Sequence, residues 1–431
     1  MRVDATLSGS AAYERLPEEV LDALVEVLDE IRHGTSKSRA DLVTRTGLGR
    51  AIVARRVQEL LDRGLVVEGD TGPSTGGRPP RHLTFRADAG QVLVADLGAT
   101  SIAVAQTDLA GRILGHYTEP ADVANGPEVI LGRVEELLVQ LQQTSHQRPA
   151  PVWGIGLGVP GPVEFATGRP VSPPIMPGWD GYRTRERFAE RFGAPVWVDN
   201  DVNVLALGEW RAGIAQGHDN VIVVKIGTGI GAGIISDGRL HRGAQGSAGD
   251  IGHIGVVNDR AIVCRCGNTG CLEALAGGYA LALQGEAAAL SGRSRRLAAA
   301  LDERGSVTAE DVARAAAFGD PVAVTLLAEA GRLVGQVLAS AVNLINPSLI
   351  VIGGGVAQSG DQLLASIRQT VYERSLPLAT RSLVIQRSSL GMLGGVMGAS
   401  AMVVDQLFAR PTIERWLAAG RPAGLPQLAL A

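Results

Sequence analysis

Apolar residues recur every three or four positions between residues 16 and 34, with Val20, Leu21, Leu24, Leu28 and Ile31 on one face. Pro17, Glu18 and Glu19 suit a first helical turn and Gly34 a stop, so an amphipathic helix is predicted there. Ser38-Arg39-Ala40-Asp41 has capping-box spacing and opens a short helix to about Thr46. After the turn Gly47-Leu48-Gly49, a longer helix is expected from Arg50 to about Arg63, with Ile52, Val53, Val57, Leu60 and Leu61 facing inward. Arg50, Ala51, Ala54, Arg55 and Gln58 are left outside. Leu65 to Glu68 and His82 to Phe85 read as two strands joined through Pro73-Ser74-Thr75-Gly76-Gly77-Arg78-Pro79-Pro80.

From about Ala89 the pattern changes to short apolar strands that end in glycine or Asx turns. Val92 to Ala95 runs into Asp96-Leu97-Gly98-Ala99-Thr100, and Ile102 to Gln106 returns. A helix from Gly126 to about Gln142 precedes the strand Val152 to Leu157, which leads into Gly158-Val159-Pro160-Gly161-Pro162. Pro195 to Val198 ends in Asp199-Asn200-Asp201-Val202-Asn203 and a helix, and Val221 to Ile226 ends in Gly227-Thr228-Gly229-Ile230-Gly231-Ala232-Gly233. Farther on, Thr308 to Asp311 is a capping box and Asp320-Pro321 starts a long helix to about Leu344. The strand Leu349 to Ile352 meets Gly353-Gly354-Gly355, a last helix covers about Gly395 to Phe408, and 410–431 reads as peripheral.

Length favours two or three domains over one core, and 45% hydrophobic with 19% charged residues is the composition of a globular protein. No apolar run is read as membrane-spanning and Met1 to Glu19 lacks a basic-then-apolar leader pattern, so a cytoplasmic protein with reduced thiols and no membrane partner is expected. Charge sharpens the picture. Residues 31–86 carry eleven Arg/Lys and five Asp/Glu, a local net of +6 in a chain of net −4. Short helix, turn, longer helix on a basic segment is the helix-turn-helix plan, whose later helix presents its first turns to the major groove. Arg39, Arg50, Ala51, Ala54, Arg55 and Arg78 are the candidate DNA contacts, with the two strands as a wing. A helical protein-docking module is the competing reading, and for Arg78 a plain Pro/Gly linker competes with entry into a narrow minor groove.

All three cysteines fall within eight positions, Cys264-Arg265-Cys266-Gly267-Asn268-Thr269-Gly270-Cys271, shortly after Gly249-Asp250-Ile251-Gly252-His253. Cys264, Cys266, Cys271 and His253 form a ligand set suited to a tetrahedral structural Zn²⁺; a buried reduced cluster is the alternative. Asp250 and Glu273 flank that set as fixed acceptors. The turns at 96–100 and 227–233 suit phosphate oxygens held by backbone N–H groups, although neither is a Walker A sequence. Gly353, Gly354 and Gly355 read equally as a floor for an adenine ring or as a plain strand-to-helix turn. Four Asx residues in five positions at 199–203 exceed the needs of one helix cap and point to a hydroxylated ligand.

In this order, the motifs at 96–100, 158–161, 200–203, 227–231, 249–253, 264–273 and 353–355 resemble the ROK family (repressors, open reading frames and sugar kinases) over residues 89 to about 405. The N-terminal module, with its Ser-Thr-Gly-Gly-Arg-Pro stretch, is similar to the winged helix of the family's regulators. The resemblance implies an α/β fold, a two-lobed actin-like ATPase (ROK sugar kinase) fold behind a winged helix-turn-helix. The boundaries expected are 1–87 for the head, 88–199 for the small lobe with a helix at about 395–408 returning to it, 200–394 for the large lobe with the zinc site, and 409–431 for a peripheral tail. It also implies Asp201 as the base toward a sugar hydroxyl, and Gly161, Asn200, Asp201, Asp250, His253 and Glu273 around the sugar. Asp96, Gly98, Thr100, Gly227, Thr228, Gly229 and Gly353 to Gly355 would serve ATP, with Mg²⁺ near Asp96. Three positions depart from the family pattern. Ala99 and Ser101 replace a glycine and a lysine beside the phosphates, and Asp250 replaces a glutamate.

The function expected is a sugar-responsive transcriptional regulator acting as a repressor, with operator DNA and a sugar or sugar phosphate as partners and a homodimer or homotetramer as the assembly. An ATP-dependent sugar kinase carrying a DNA-binding head is the alternative.

Overall fold

The computed structural model describes residues 17–71, 81–144, 150–358 and 360–430. Three helices, α1 (Glu18–Arg32), α2 (Arg39–Thr46) and α3 (Arg50–Asp62), pack around Leu24, Val27, Leu42, Val57 and Leu60, beside the antiparallel hairpin β1 (Val66–Thr71) and β2 (Arg81–Phe85). Ser38 caps α2 by accepting the Asp41 N–H, but the reciprocal bond is shifted by one residue: the Asp41 carboxylate accepts from the Lys37 N–H at 3.2 Å. One position in α3 departs from expectation, and an arginine takes a place on the inner face. Ile52 is 47% exposed, whereas Arg56 is 4% exposed and paired with Glu59 at 2.9 Å. Position on the helix decides this, because the stripe of Val53, Val57 and Leu60 places residue 56 inside and residue 52 outside. Arg78 lies outside the described residues.

The rest of the chain holds two five-stranded sheets with the same topology. In the first, β3 (Gln91–Leu97), β4 (Ser101–Asp108) and β5 (Ile113–Pro120) form an antiparallel meander, and after α4 (Pro127–Thr144) the strand β6 (Val152–Val159) adds parallel to β3. A small ribbon of β7 (Val163–Glu164) and β8 (Arg169–Pro170), then α5 (Thr184–Phe192), precede β9 (Val196–Asn200), giving the order β5-β4-β3-β6-β9. The helix α6 (Asp201–Ala212) leads into the second sheet, where β10 (Val221–Ile226), β11 (Ile230–Ser236) and β12 (Arg239–Leu240) repeat the meander. A helical stretch follows: α7 (Leu272–Ala276), α8 (Gly278–Leu290), α9 (Arg295–Arg304), α10 (Ala309–Ala317) and α11 (Pro321–Ile345). Then β13 (Leu349–Gly353) pairs parallel to β10; α12 (Gly355–Gln358), α13 (Gln362–Arg374) and α14 (Pro377–Thr380) separate it from β14 (Val384–Arg387), for the order β12-β11-β10-β13-β14.

The chain closes with α15 (Leu393–Phe408) and α16 (Arg410–Leu417). α15 lies on β3 and β6 of the first sheet, and α6 lies on β10 and β11 of the second. The two helices cross where Gly208 meets the Gly394 carbonyl and Gly398 meets the Val204 carbonyl, so any side chain at these glycines would overlap backbone. Two expectations are corrected here. α11 is long and apolar enough to cross a membrane by length and composition, but its Leu327, Leu333, Val334 and Leu338 are buried in the core of the second lobe. The segment 409–431 is not peripheral: Ile413 and Trp416 are fully buried and Leu428 nearly so. Their neighbours Trp153, Phe408 and Phe85 come from the first lobe and the wing, at ring separations of 5.5 Å for Trp153–Trp416 and 5.6 Å for Phe85–Phe408. One hydrophobic core therefore runs from the head through the tail into the first lobe.

Candidate functional site

The candidate ligand-binding residues gather where the strands of both sheets end. β9 delivers Asp199 and Asn200 to the start of α6, and their side chains hold backbone. Asn200 Oδ1 accepts from the Val202 and Asn203 N–H groups at 2.9 and 3.3 Å, while Nδ2 donates to the Gly161 carbonyl at 2.8 Å. Asp199 accepts from Asn203 Nδ2 at 2.9 Å and from Arg242 at 2.7 Å, and that guanidinium stacks over Phe165. The Asx cluster is thus largely a cap and a brace. Asp201 differs. It stands in the first turn of α6, where the helix end favours negative charge, and its carboxylate is within 2.7 Å of Lys225 Nζ.

Lys225 is a site residue that the motifs do not single out. The signal was a single cation near the end of an otherwise apolar strand, Val221 to Ile226. Desolvation works against its ammonium, yet the charges of Asp201 and Asp96 outweigh that and hold its pKa above the ordinary lysine value. Asp96, on β3, sits against Gly158 and the Gly395 end of α15, and its Oδ1 is buried without a hydrogen-bond partner among the described residues. Burial pushes its carboxyl up to about 6; Lys225 opposes the shift and Asp201 adds to it.

The second wall is the loop between β12 and α7. Gly249 has φ +100° and lies against the Ala232 carbonyl, so the loop hugs the edge of β11. The ligating atoms of His253, Cys264, Cys266 and Cys271 all lie within 4.8 Å of one another. Cys264 Sγ is 3.7 Å from His253 Nδ1, and Cys266 Sγ is 3.8 Å from Cys271 Sγ. A tetrahedral Zn²⁺ with Zn–S bonds of about 2.3 Å needs sulfur–sulfur edges of about 3.8 Å, so the set fits that ion. Because Nδ1 faces the sulfurs, Nε2 is the ring nitrogen left for another partner. Desolvation raises the Asp250 carboxyl above its ordinary value, with His253 opposing and Glu273 adding. Glu273 accepts the Ile230 N–H at 3.0 Å and lies 3.6 Å from Arg265, which itself stacks on Tyr279.

The glycine turns have internal neighbours. Gly229 abuts the Glu273 carboxylate, Gly354 the Ile226 carbonyl, Gly355 the Glu310 carboxylate, and Gly353 lies against Leu205 and Ser388. Gly227 has open space above it, Thr228 accepts the Tyr279 N–H through its carbonyl at 3.0 Å, and Gly98 donates to the Ser101 carbonyl in a tight turn beside the exposed Thr100. In the head, Arg50, Ala51, Ile52, Ala54 and Arg55 form an exposed face at the start of α3. Arg39 turns to the wing instead, 2.6 Å from Glu68, which also takes Arg81 at 2.9 Å. Those two hydrogen bonds, Arg39's first, hold the Glu68 carboxyl below the usual range.

Residues 92–406 match the description of the ROK family. The chain belongs to the ROK family. It falls in that family's transcriptional-regulator branch. A xylose repressor of Caldicellulosiruptor bescii is 31% identical over 392 residues, spanning 89% of this chain and 96% of the relative. The crystal structure of a ROK family transcriptional regulator, a homologue of the E. coli MLC protein, superposes with a TM-score of 0.77 at 28% identity, covering 96% of this chain and all of that one. A ROK family glucokinase from Streptomyces griseus, in complex with glucose and AMPPNP, has a TM-score of 0.64 at 31% identity but covers 73% of this chain and 99% of its own. The two-lobed ROK fold is therefore common to regulator and kinase, while the likeness to regulators extends over far more of the chain.

Proposed function

We propose that this ROK protein is a sugar-responsive transcriptional repressor. The observation that carries the reading is the continuous core joining the helix-turn-helix head, the tail and the first lobe, in a chain that resembles repressors along most of its length. α3 enters the major groove with Arg50 and Arg55 toward phosphates and base edges and Ala51, Ile52 and Ala54 toward thymine methyl groups. Two heads are needed for a palindromic operator, so the working form is at least a homodimer. A sugar lies between the walls of the cleft, with Asp201, Asp250 and Glu273 accepting from its hydroxyls and His253 Nε2 opposite. Zinc bound by His253, Cys264, Cys266 and Cys271 contributes no chemistry beyond fixing the loop that presents Asp250 and Glu273.

Fluorescence anisotropy on promoter fragments tests this directly. Arg55→Ala and Arg50→Ala are expected to weaken specific binding by roughly tenfold each, about 1–3 kcal/mol per lost contact. Weak, sequence-blind binding that neither substitution alters would remove the DNA reading. For the metal, elemental analysis is expected to give about one zinc per chain, and Cys271→Ser to abolish it together with sugar-induced thermal stabilisation. Wild-type protein purified without stoichiometric zinc, but fully sugar-responsive, would remove the metal.

A further inference from the structure

Transfer of a phosphoryl group to a sugar requires a divalent cation to balance phosphate charge and a carboxylate free to take the hydroxyl proton. The centre of this cleft is filled differently. Lys225 leaves β10 at a position whose cross-strand neighbours are Gly231 on β11 and Gly353 on β13, so neither adjacent strand places a side chain beside it. Its Nζ reaches Asp201 Oδ2 at 2.7 Å and feels the charge of Asp96 across the gap. Asp96 in turn keeps a buried Oδ1 that no described donor satisfies. Two carboxylates, one near the end of β3 and one in the first turn of α6, thus share one tethered ammonium. A divalent ion placed between them would meet a like charge that cannot diffuse away, and Mg²⁺ with ATP does not fit the residues present.

We propose that Lys225 is the resident cation of the cleft: it holds the place between Asp96 and Asp201 that a divalent ion needs, and so restricts the site to an uncharged sugar bound without Mg·ATP. This deepens the sugar-effector reading and rests on it. The lysine supplies the positive charge, holds Asp201 Oδ2 so that this carboxylate stays an acceptor and does not take a proton from a hydroxyl, and leaves no compensation for a triphosphate.

The test is Mn²⁺ binding read by electron paramagnetic resonance, with and without ATP, on the full-length wild type, Lys225→Met and Lys225→Arg. The wild type and Lys225→Arg are expected to bind no Mn²⁺ at concentrations where Lys225→Met does, a difference of at least about tenfold. Wild-type protein that binds Mn·ATP as tightly as Lys225→Met overturns the proposal, and so does a folded Lys225→Met that gains no affinity. If Lys225→Met does not fold, Lys225→Gln replaces it, and the wild-type arm decides on its own whether the ion is excluded. In parallel, thermal shifts with D-glucose and D-xylose are read with and without about 5 mM Mg·ATP; an apparent sugar affinity changed less than about twofold is expected, and a tenfold rise contradicts the proposal. Absence of any sugar shift would count against the sugar reading alone, because the Mn²⁺ arm is independent of it.

Discussion

The two ends of α15 do opposite jobs with similar groups. At its N-terminal end, beside Gly395, the Asp96 carboxylate is buried with an unsatisfied oxygen and shares the Lys225 charge with Asp201. At its C-terminal end, Asp405 is satisfied from two sides, by Arg211 of α6 at 2.6 Å and by Arg32 of the head at 3.8 Å, and Arg32 also lies over the Phe408 ring. Phe408 then packs on Phe85, Trp153 and Trp416. One end is electrostatically loaded; the other is saturated and packed against the head. The difference places an unbalanced charge at one end of a helix whose other end is held against the head, which is the arrangement a coupling between cleft and head requires.

The largest expected effect is at the locked end. Trp416→Ala should destabilise the protein by about 3–5 kcal/mol, because a fully buried indole is replaced by a cavity. Denaturant unfolding followed at the head and at the lobe should then separate into two transitions; a single unchanged transition would mean that the tail does not bind them together. At the loaded end the sign reverses. The Asp96 carboxyl stands at about 6 in the fold against 3.8 in its ordinary state, so the folded chain binds the proton more tightly. This group therefore opposes folding above about pH 6, opposes it less as pH falls toward 4, and has no effect below that. Asp96→Asn is expected to stabilise the protein by on the order of 1–3 kcal/mol at pH 7.5 and by nothing at pH 3.5. Equal effects at both pH values would show that the carboxyl is not the loaded group. The smallest stability change belongs to Asp405→Ala, about 0.5–1 kcal/mol for a partly exposed pair, yet it should reduce the sugar-linked change in operator affinity several-fold. If the response survives intact, the path through Arg32 and Arg211 is wrong.

Much of this arrangement was legible in the sequence where local patterns decide the outcome. Strand ends at Leu97, Asn200, Ile226 and Gly353 follow from apolar runs broken by Gly or Asx, and four metal-type ligands close in sequence are also close in space. The misreadings concern partners distant along the chain. The tail looks peripheral by its Arg, Pro and Gly content, but α16 needs only Ile413, Trp416 and Leu417 on one face to complete a core begun near residue 21. Lys225 reads as an anomaly in a strand until Asp201, 24 residues earlier, arrives from the other sheet. At the Asx cluster, Asp199 and Asn200 spend most of their hydrogen bonds on backbone and Arg242, a division of labour that residue type alone does not reveal.

The central claim is that occupancy of the cleft is felt at α3. Its most direct test is the affinity of the wild-type protein for its operator, measured at fixed salt with and without a sugar that thermal shift shows to be bound. The account predicts a fall of about tenfold or more, a coupling of roughly 1.4 kcal/mol. Unchanged operator affinity with the cleft demonstrably filled would contradict it.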